Sequence, residues 1–258
     1  MFVQAFRAEW LKRKRSYATL LVAGTSLFTP AIVMVVRLTH PHNLPALYAK
    51  ADFWNAMVHA CWESMAVFFL PLGAILVPSL VAQIELRGNA WKQVHTLPVG
   101  SAVIFVAKLA VILLLMAKLL LLFNAGIYVS AMIPPLLLAG VPRPPGSFAP
   151  LARAAESARY FADCLPIVAA QYLMALRSNN ILVPIGAGFV AWVAALAAVS
   201  SKLAVWWPYS YTIIEYLKGT PKGAHFAAAP PLPWLAAGFF VLLTIAAYFW
   251  FATSDEKG

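Results

Sequence analysis

Apolar residues in this chain come in long blocks rather than in alternation with polar ones. Uncharged windows run from Ser16 to Val36, Ser64 to Ile84, Leu119 to Pro142, Ser178 to Ser201 and Gly223 to Ser254. A helix needs about 20 residues to cross a bilayer core, so each window is long enough for a span. The pattern predicts an all-α membrane protein with six transmembrane helices in one transmembrane domain over residues 1–258. The spans are expected at about 17–37, 62–84, 101–132, 160–177, 179–201 and 233–253. An amphipathic interfacial helix over 1–16 precedes them, because Phe2, Phe6 and Trp10 share one stripe while Arg7, Lys14 and Arg15 can reach headgroups. A plain cytoplasmic extension of the first span fits the same spacing.

Composition sharpens this picture. With 62% hydrophobic and 11% charged residues and a mean hydropathy of +0.79, the chain has no polar stretch large enough for a separate soluble domain. Two cysteines among 258 residues exclude a disulfide scaffold. The first apolar run is too long for the core of a cleaved signal peptide, and Arg37-Leu38-Thr39-His40 offers no small-x-small cleavage site.

The net charge of +10 would suggest nucleic acid in a soluble protein. Here Arg7, Lys12, Arg13, Lys14 and Arg15 precede the first span and the remaining cations are scattered, so no face could meet a duplex. The cluster reads as an inner-leaflet anchor to anionic membrane lipids, with both termini cytoplasmic. The other loops lean the opposite way, since Lys50, Arg143, Arg153, Arg159, Lys202, Lys218 and Lys222 fall on the predicted outer side. The first segment decides orientation because it usually dominates.

Four ionisable residues fall inside predicted spans: Glu63, Lys108, Lys118 and Asp163. Charges in lipid are costly and normally face protein or water. Lys108 lies close enough to the inner end of its helix to snorkel. Lys118 has two readings, an ion pair with Glu63 or snorkelling to the outer headgroups. Pro71, Pro78, Pro166 and Pro184 each remove a backbone donor and kink their spans, and Gly186 and Gly188 give the fifth span a face for close helix approach.

Two predicted outer segments are unusual. The proline-rich stretch 134–159 reads as an extended connection ending in a short amphipathic piece around Ala152 to Tyr160. Residues 203–232 are too apolar for a solvated loop and too interrupted for a span. They read as a re-entrant helical hairpin before the last span, with Trp206, Trp207, Pro208, Tyr209 and Tyr211 as an outer gate. An interfacial aromatic belt is the other reading of those residues.

The chain contains no G-x-x-x-x-G-K-[ST] and no H-E-x-x-H, so no nucleotide or zinc site is expected within it. No metal site is assigned, although His40, His42, His59 and Cys61 form an outer group of transition-metal ligands. Cys61 and Cys164 both fall at outer span ends, where a disulfide is one option and two buried thiols the other. The embedded charges show no acid–base pairing, which leaves a membrane-embedded enzyme without a catalytic residue to name.

The segment Glu85-Leu-Arg-Gly-Asn-Ala-Trp-Lys-Gln-Val-His-Thr-Leu-Pro98 joins spans two and three. Its Glu85, Gly88, Trp91, Lys92 and Pro98 resemble the span-ending glutamate, glycine-containing coupling helix and following proline of ABC-2 type permeases. Gln171-Tyr-Leu-Met-Ala-Leu-Arg177 with Asn180, and Trp207-Pro208-Tyr209-Ser210, look like stretches of the lantibiotic and bacitracin immunity permeases. The resemblance implies an exporter permease in a bacterial cytoplasmic membrane, acting on an amphipathic peptide or other drug-like or lipid-like molecule. It implies a cytoplasmic coupling helix over 86–97, with Glu85, Arg87, Gly88, Trp91, Lys92, His95 and Pro98 meeting an ATPase, and a tight turn at Arg177 and Asn180. The implied partners are two copies of an ABC ATPase subunit, which would hold ATP and Mg, and a second permease, identical or paralogous; no cofactor belongs to this chain. A membrane sensor or scaffold relaying an outer signal is the competing reading of the same topology.

Overall fold

The structure is a computed structural model that describes residues 2–12, 17–86, 100–226 and 230–255. The described residues are helical, without strands. In chain order they form α1 (Phe2–Lys12), α2 (Ala18–Thr39), α3 (Leu44–Tyr48), α4 (Phe53–Ser64), α5 (Leu70–Leu86), α6 (Ser101–Leu137), α7 (Pro150–Arg177), α8 (Leu182–Ala198), α9 (Tyr211–Lys218) and α10 (Leu232–Asp255). A π-helical turn, Met65–Phe69, joins α4 to α5 without a break.

The core lies among α2, α5, α6 and α7, with α1 against the start of α6 and α10 along α7. The end of the bundle beside α1 is called proximal and the opposite end distal. Phe53, Trp54, Met57, Val58, Cys61 and Trp62 of α4 are buried at helical spacing. The second span therefore begins at Phe53, about nine residues earlier than its polar Asn55, His59 and Glu63 suggest.

Prolines within two of the helices are accommodated in the same way, and at the second of them this moves an expected boundary. A proline cannot bond the carbonyl four residues before it, and in lipid that carbonyl needs another donor. Pro71 frees the Val67 carbonyl, which accepts a hydrogen bond from Trp192 Nε1 of α8 at 2.9 Å. The helix thus runs on through the π turn. Pro135 frees the Ala131 carbonyl, which accepts from the Tyr48 hydroxyl at 3.1 Å, so α6 continues through Pro134 and Pro135 to Leu137 instead of stopping near 132.

The proline-rich connection is shorter than expected. Ala149, at φ 51°, turns the chain into a helix opened by Pro150, and the amphipathic piece around Ala152 to Tyr160 continues unbroken through the stretch expected as the fourth span, forming α7. Among the described residues, four apolar helical stretches are long enough to cross a membrane: 18–39, 53–83, 102–137 and 232–252. The 17 residues of α8 are apolar but shorter than the 179–201 expected, and α7 carries Arg153, Glu156, Arg159 and Asp163 along its first half.

Candidate functional site

The distal end gathers polar side chains that sequence spacing does not bring together. After α8 the chain forms short 3₁₀ turns, Lys202–Trp206 and Pro208–Ser210, then α9, then a further 3₁₀ turn Pro221–Phe226. This segment packs on α7, α8 and the π turn. Ser210 Oγ bonds the Ala204 and Trp207 carbonyls and fixes the sharp bend before α9.

The predicted gate aromatics divide into two pairs. Trp206 and Trp207 face outward at 64% and 42% exposure, whereas Tyr209 and Tyr211 are buried. Trp207 Nε1 donates to the Ala191 carbonyl at 3.0 Å. Gln171 Nε2 donates to the Tyr209 hydroxyl at 2.9 Å in the bundle interior. The latter bond needs close helix approach: a Cβ on Gly188 would overlap the Gln171 amide, while Gly186 meets nothing within 4 Å. The expected small-residue face of α8 is therefore carried by Gly188.

Asp163 is fully buried in α7, and neither of its carboxyl oxygens has a partner among the described residues. The Tyr211 hydroxyl, Thr212 Oγ1 and Trp62 Nε1 are likewise buried and unpartnered among them. Trp62 stacks on Tyr160 at 4.0 Å, one turn from Asp163. Glu215 of α9 lies 3.8 Å from both Arg159 of α7 and Lys218. His59 Nδ1 and the Tyr216 hydroxyl are 3.5 Å apart. Each unpaired buried polar group costs about 1–3 kcal/mol. Several such groups meet where α4, α7 and α9 pack.

Glu63 is exposed and Lys118 half-buried, and no ion pair joins them among the described residues. Lys108, expected to snorkel, is instead 1% exposed and bonds Glu9 of α1 at 3.1 Å. Glu9 also receives Lys12 at 2.6 Å, and Phe2, Phe6 and Trp10 form a ladder along α1 with centroids 6.3 and 6.0 Å apart. Glu9 was not singled out from the sequence. Its one legible sign is an acid in an otherwise basic N-terminal segment.

Arg177 ends α7 with its guanidinium 4.6 Å from the Trp250 ring of α10, and Asn180 Oδ1 caps α8 through the Leu182 amide at 3.0 Å. The tight turn is thus tied to the last helix. Arg37 donates to the Tyr48 hydroxyl at 3.0 Å. Burial raises the Tyr48 phenol above its usual range and the Arg37 charge pulls it back, so it stays a neutral donor to Ala131. Cys61 and Cys164 are both free buried thiols. His40 bonds Thr39 and the Val36 carbonyl, His59 faces Tyr216, and no group of three His, Cys, Asp or Glu side chains converges for a metal among the described residues.

Arg87, Gly88, Trp91, Lys92, His95 and Pro98 lie outside the described residues, and Glu85 is described by its place near the end of α5 alone. What frames that segment is described: α5 leads into it and α6 leaves it, with α6 held to α1 by the buried Glu9–Lys108 pair.

A family model described as ABC-2 family transporter protein matches residues 5–195. No curated protein and no solved structure matches the chain. The matched stretch runs from α1 into α8 and includes the segment between α5 and α6.

Proposed function

From the chain's membership of the ABC-2 transporter family, we propose that it is the permease subunit of an ABC exporter, driven by a separate ATPase. The chain belongs to that family and is an integral membrane component of transport, not itself a catalyst. The observation that carries the exporter reading is the family match, which spans the segment between α5 and α6. In this reading residues 86–97 dock on the ATPase, with Trp91 supplying buried area and Arg87 and Lys92 polar contacts. Two ATPase subunits serve two permeases, identical or paralogous. ATP and Mg stay on the ATPase, where hydrolysis supplies the energy.

The membrane is the bacterial cytoplasmic membrane, both termini are cytoplasmic, and α7 and α8 complete six spans. The distal end is then the outer face. Residues 202–226 act as the exit gate there, closed by the Gln171–Tyr209 bond and by α9 on α7. The two states differ in whether Asp163, Tyr211 and Thr212 stay enclosed or meet water. An amphipathic cargo, an antimicrobial peptide or other drug-like or lipid-like molecule, suits a bundle with few internal charges.

The test is to isolate the chain with its associated subunits and assay export in vesicles. Recovery of a P-loop ATPase, with Trp91→Ala and Lys92→Ala each abolishing export while ATP hydrolysis persists, is the expected result. A complex lacking any ATPase and responding to an outer ligand without moving it would replace the exporter with a sensor. Normal export by both variants would end the assignment of the coupling segment.

A further inference from the structure

Between α6 and α7, at the distal end, lies a cavity of about 720 Å³. That is a usual size for a site holding a small organic ligand. It exists because small residues, Ala117 and Ala125 on α6 and Ala154 and Ala158 on α7, face each other across it. Its floor is bridged by Asn124 Nδ2 donating to Ser157 Oγ at 2.8 Å. Its flank is open, with Leu121 68% exposed.

The lining is ordered by depth. Ala117, Leu120, Leu121 and Phe161 form an apolar inner part, and Tyr128 and Arg153 lie toward the distal mouth. Trp54 stacks on Tyr128 at 6.0 Å, the kind of Trp and Tyr pair found at membrane interfaces. Tyr128 is 20 residues along α6 from Lys108, a rise of about 30 Å. That equals the thickness of a bilayer hydrocarbon core. With Lys108 and Glu9 at one boundary, the mouth of the groove stands at headgroup level on the other and its apolar part reaches toward the midplane.

Arg153 is the one charged residue lining the cavity. Its guanidinium is positioned by Asn55 Oδ1 at 2.6 Å and by Glu156 at 3.0 Å. Glu156, one turn along, is the only carboxylate paired with it among the described residues.

We propose that this groove is a binding site for an anionic phospholipid of the distal leaflet, one acyl chain lying between α6 and α7 and the phosphate against Arg153. Arg153 selects the charge, and Glu156 competes with the phosphate for the same guanidinium. The site rests on the groove itself and is independent of the ATPase partner and of the cargo. It is also separate from the basic N-terminal segment, which lies at the proximal end.

The experiment measures lipid retention by the full chain with native mass spectrometry, comparing phosphatidylglycerol with phosphatidylcholine of the same acyl chains. The expected result is about a tenfold preference for phosphatidylglycerol, as one charge-assisted contact supplies. Arg153→Gln should bring the two lipids to parity. Glu156→Gln should increase the preference, because the freed guanidinium turns wholly to the phosphate. Ala154→Trp, which fills the groove from an exposed position, should reduce retention of both while thermal unfolding stays unchanged. Equal retention of the two lipids, or a preference that survives both Arg153→Gln and Ala154→Trp, would overturn the proposal. So would an Ala154→Cys variant that cross-links to a second copy in a bilayer, because protein rather than lipid would then cover the groove. If Arg153→Gln fails to fold, the increase on Glu156→Gln and the loss on Ala154→Trp still decide the matter.

Discussion

Individual residues carry the strongest constraints. The Glu9–Lys108 pair is buried on both sides, and removing the Glu9 charge takes away a buried counter-charge, at a cost of up to about 3–5 kcal/mol. Glu9→Gln should therefore lower stability in detergent unfolding by that amount. Glu9→Leu combined with Lys108→Met should recover part of it, since the buried charge pair is gone and Lys12, which also bonds Glu9, reaches solvent. Gly188 and Gly186 provide a matched pair on α8. Gly188→Val pushes into the Gln171 amide and should cost about 1–3 kcal/mol, whereas Gly186→Val enters open space and should be close to neutral. Thermal unfolding of the two variants side by side reads the difference.

At the scale of elements, two prolines inside long helices are accommodated because a donor from another element takes the freed carbonyl. Trp192 serves Val67, opposite Pro71, and Tyr48 serves Ala131, opposite Pro135. Tyr48→Phe keeps the ring and removes the donor, and should cost about 1–3 kcal/mol; Trp192→Phe removes the donor and also shrinks a buried side chain, and should cost more. Trp206→Phe, at an exposed ring, should stay within about 0.5 kcal/mol. The second rescue explains why α6 runs past the expected end near 132. Pro71 and Pro135 are visible in the sequence as breaks, but the distant Trp192 and Tyr48 that repair them are not.

For the whole molecule, the two ends behave differently. The proximal end is tied by a buried ion pair, and the distal junction is held by the Gln171–Tyr209 bond beside several unsatisfied polar groups. Motion should therefore concentrate distally. A Gln171→Cys, Tyr209→Cys double variant, its two thiols oxidised onto a bis-methanethiosulfonate linker that spans the gap left by the Gln and Tyr side chains, should stop export reversibly, with reducing agent restoring it. Cys61 and Cys164 are buried and should not interfere. Export continuing in the oxidised protein would exclude the distal segment as the gate.

The sequence by itself determined the solvent, the helical class and the approximate order of the apolar helices, because a bilayer demands uninterrupted apolar length and internal backbone bonding. It also marked the 203–232 region as neither loop nor span, and carried the family likeness in the Glu85 to Pro98 segment. Tertiary structure alone decided which polar residues meet. Glu9 finds Lys108 across 99 positions, Gln171 finds Tyr209 across 38, and Trp192 finds Val67 across 125. Local periodicity holds no information about such distances, since helix pairing is set by how small residues such as Gly188 and Ala154 let backbones approach or stand apart. The same packing splits four similar aromatics into two that face outward and two that close the distal end, and it opens the groove beside Arg153 that no run of letters announces.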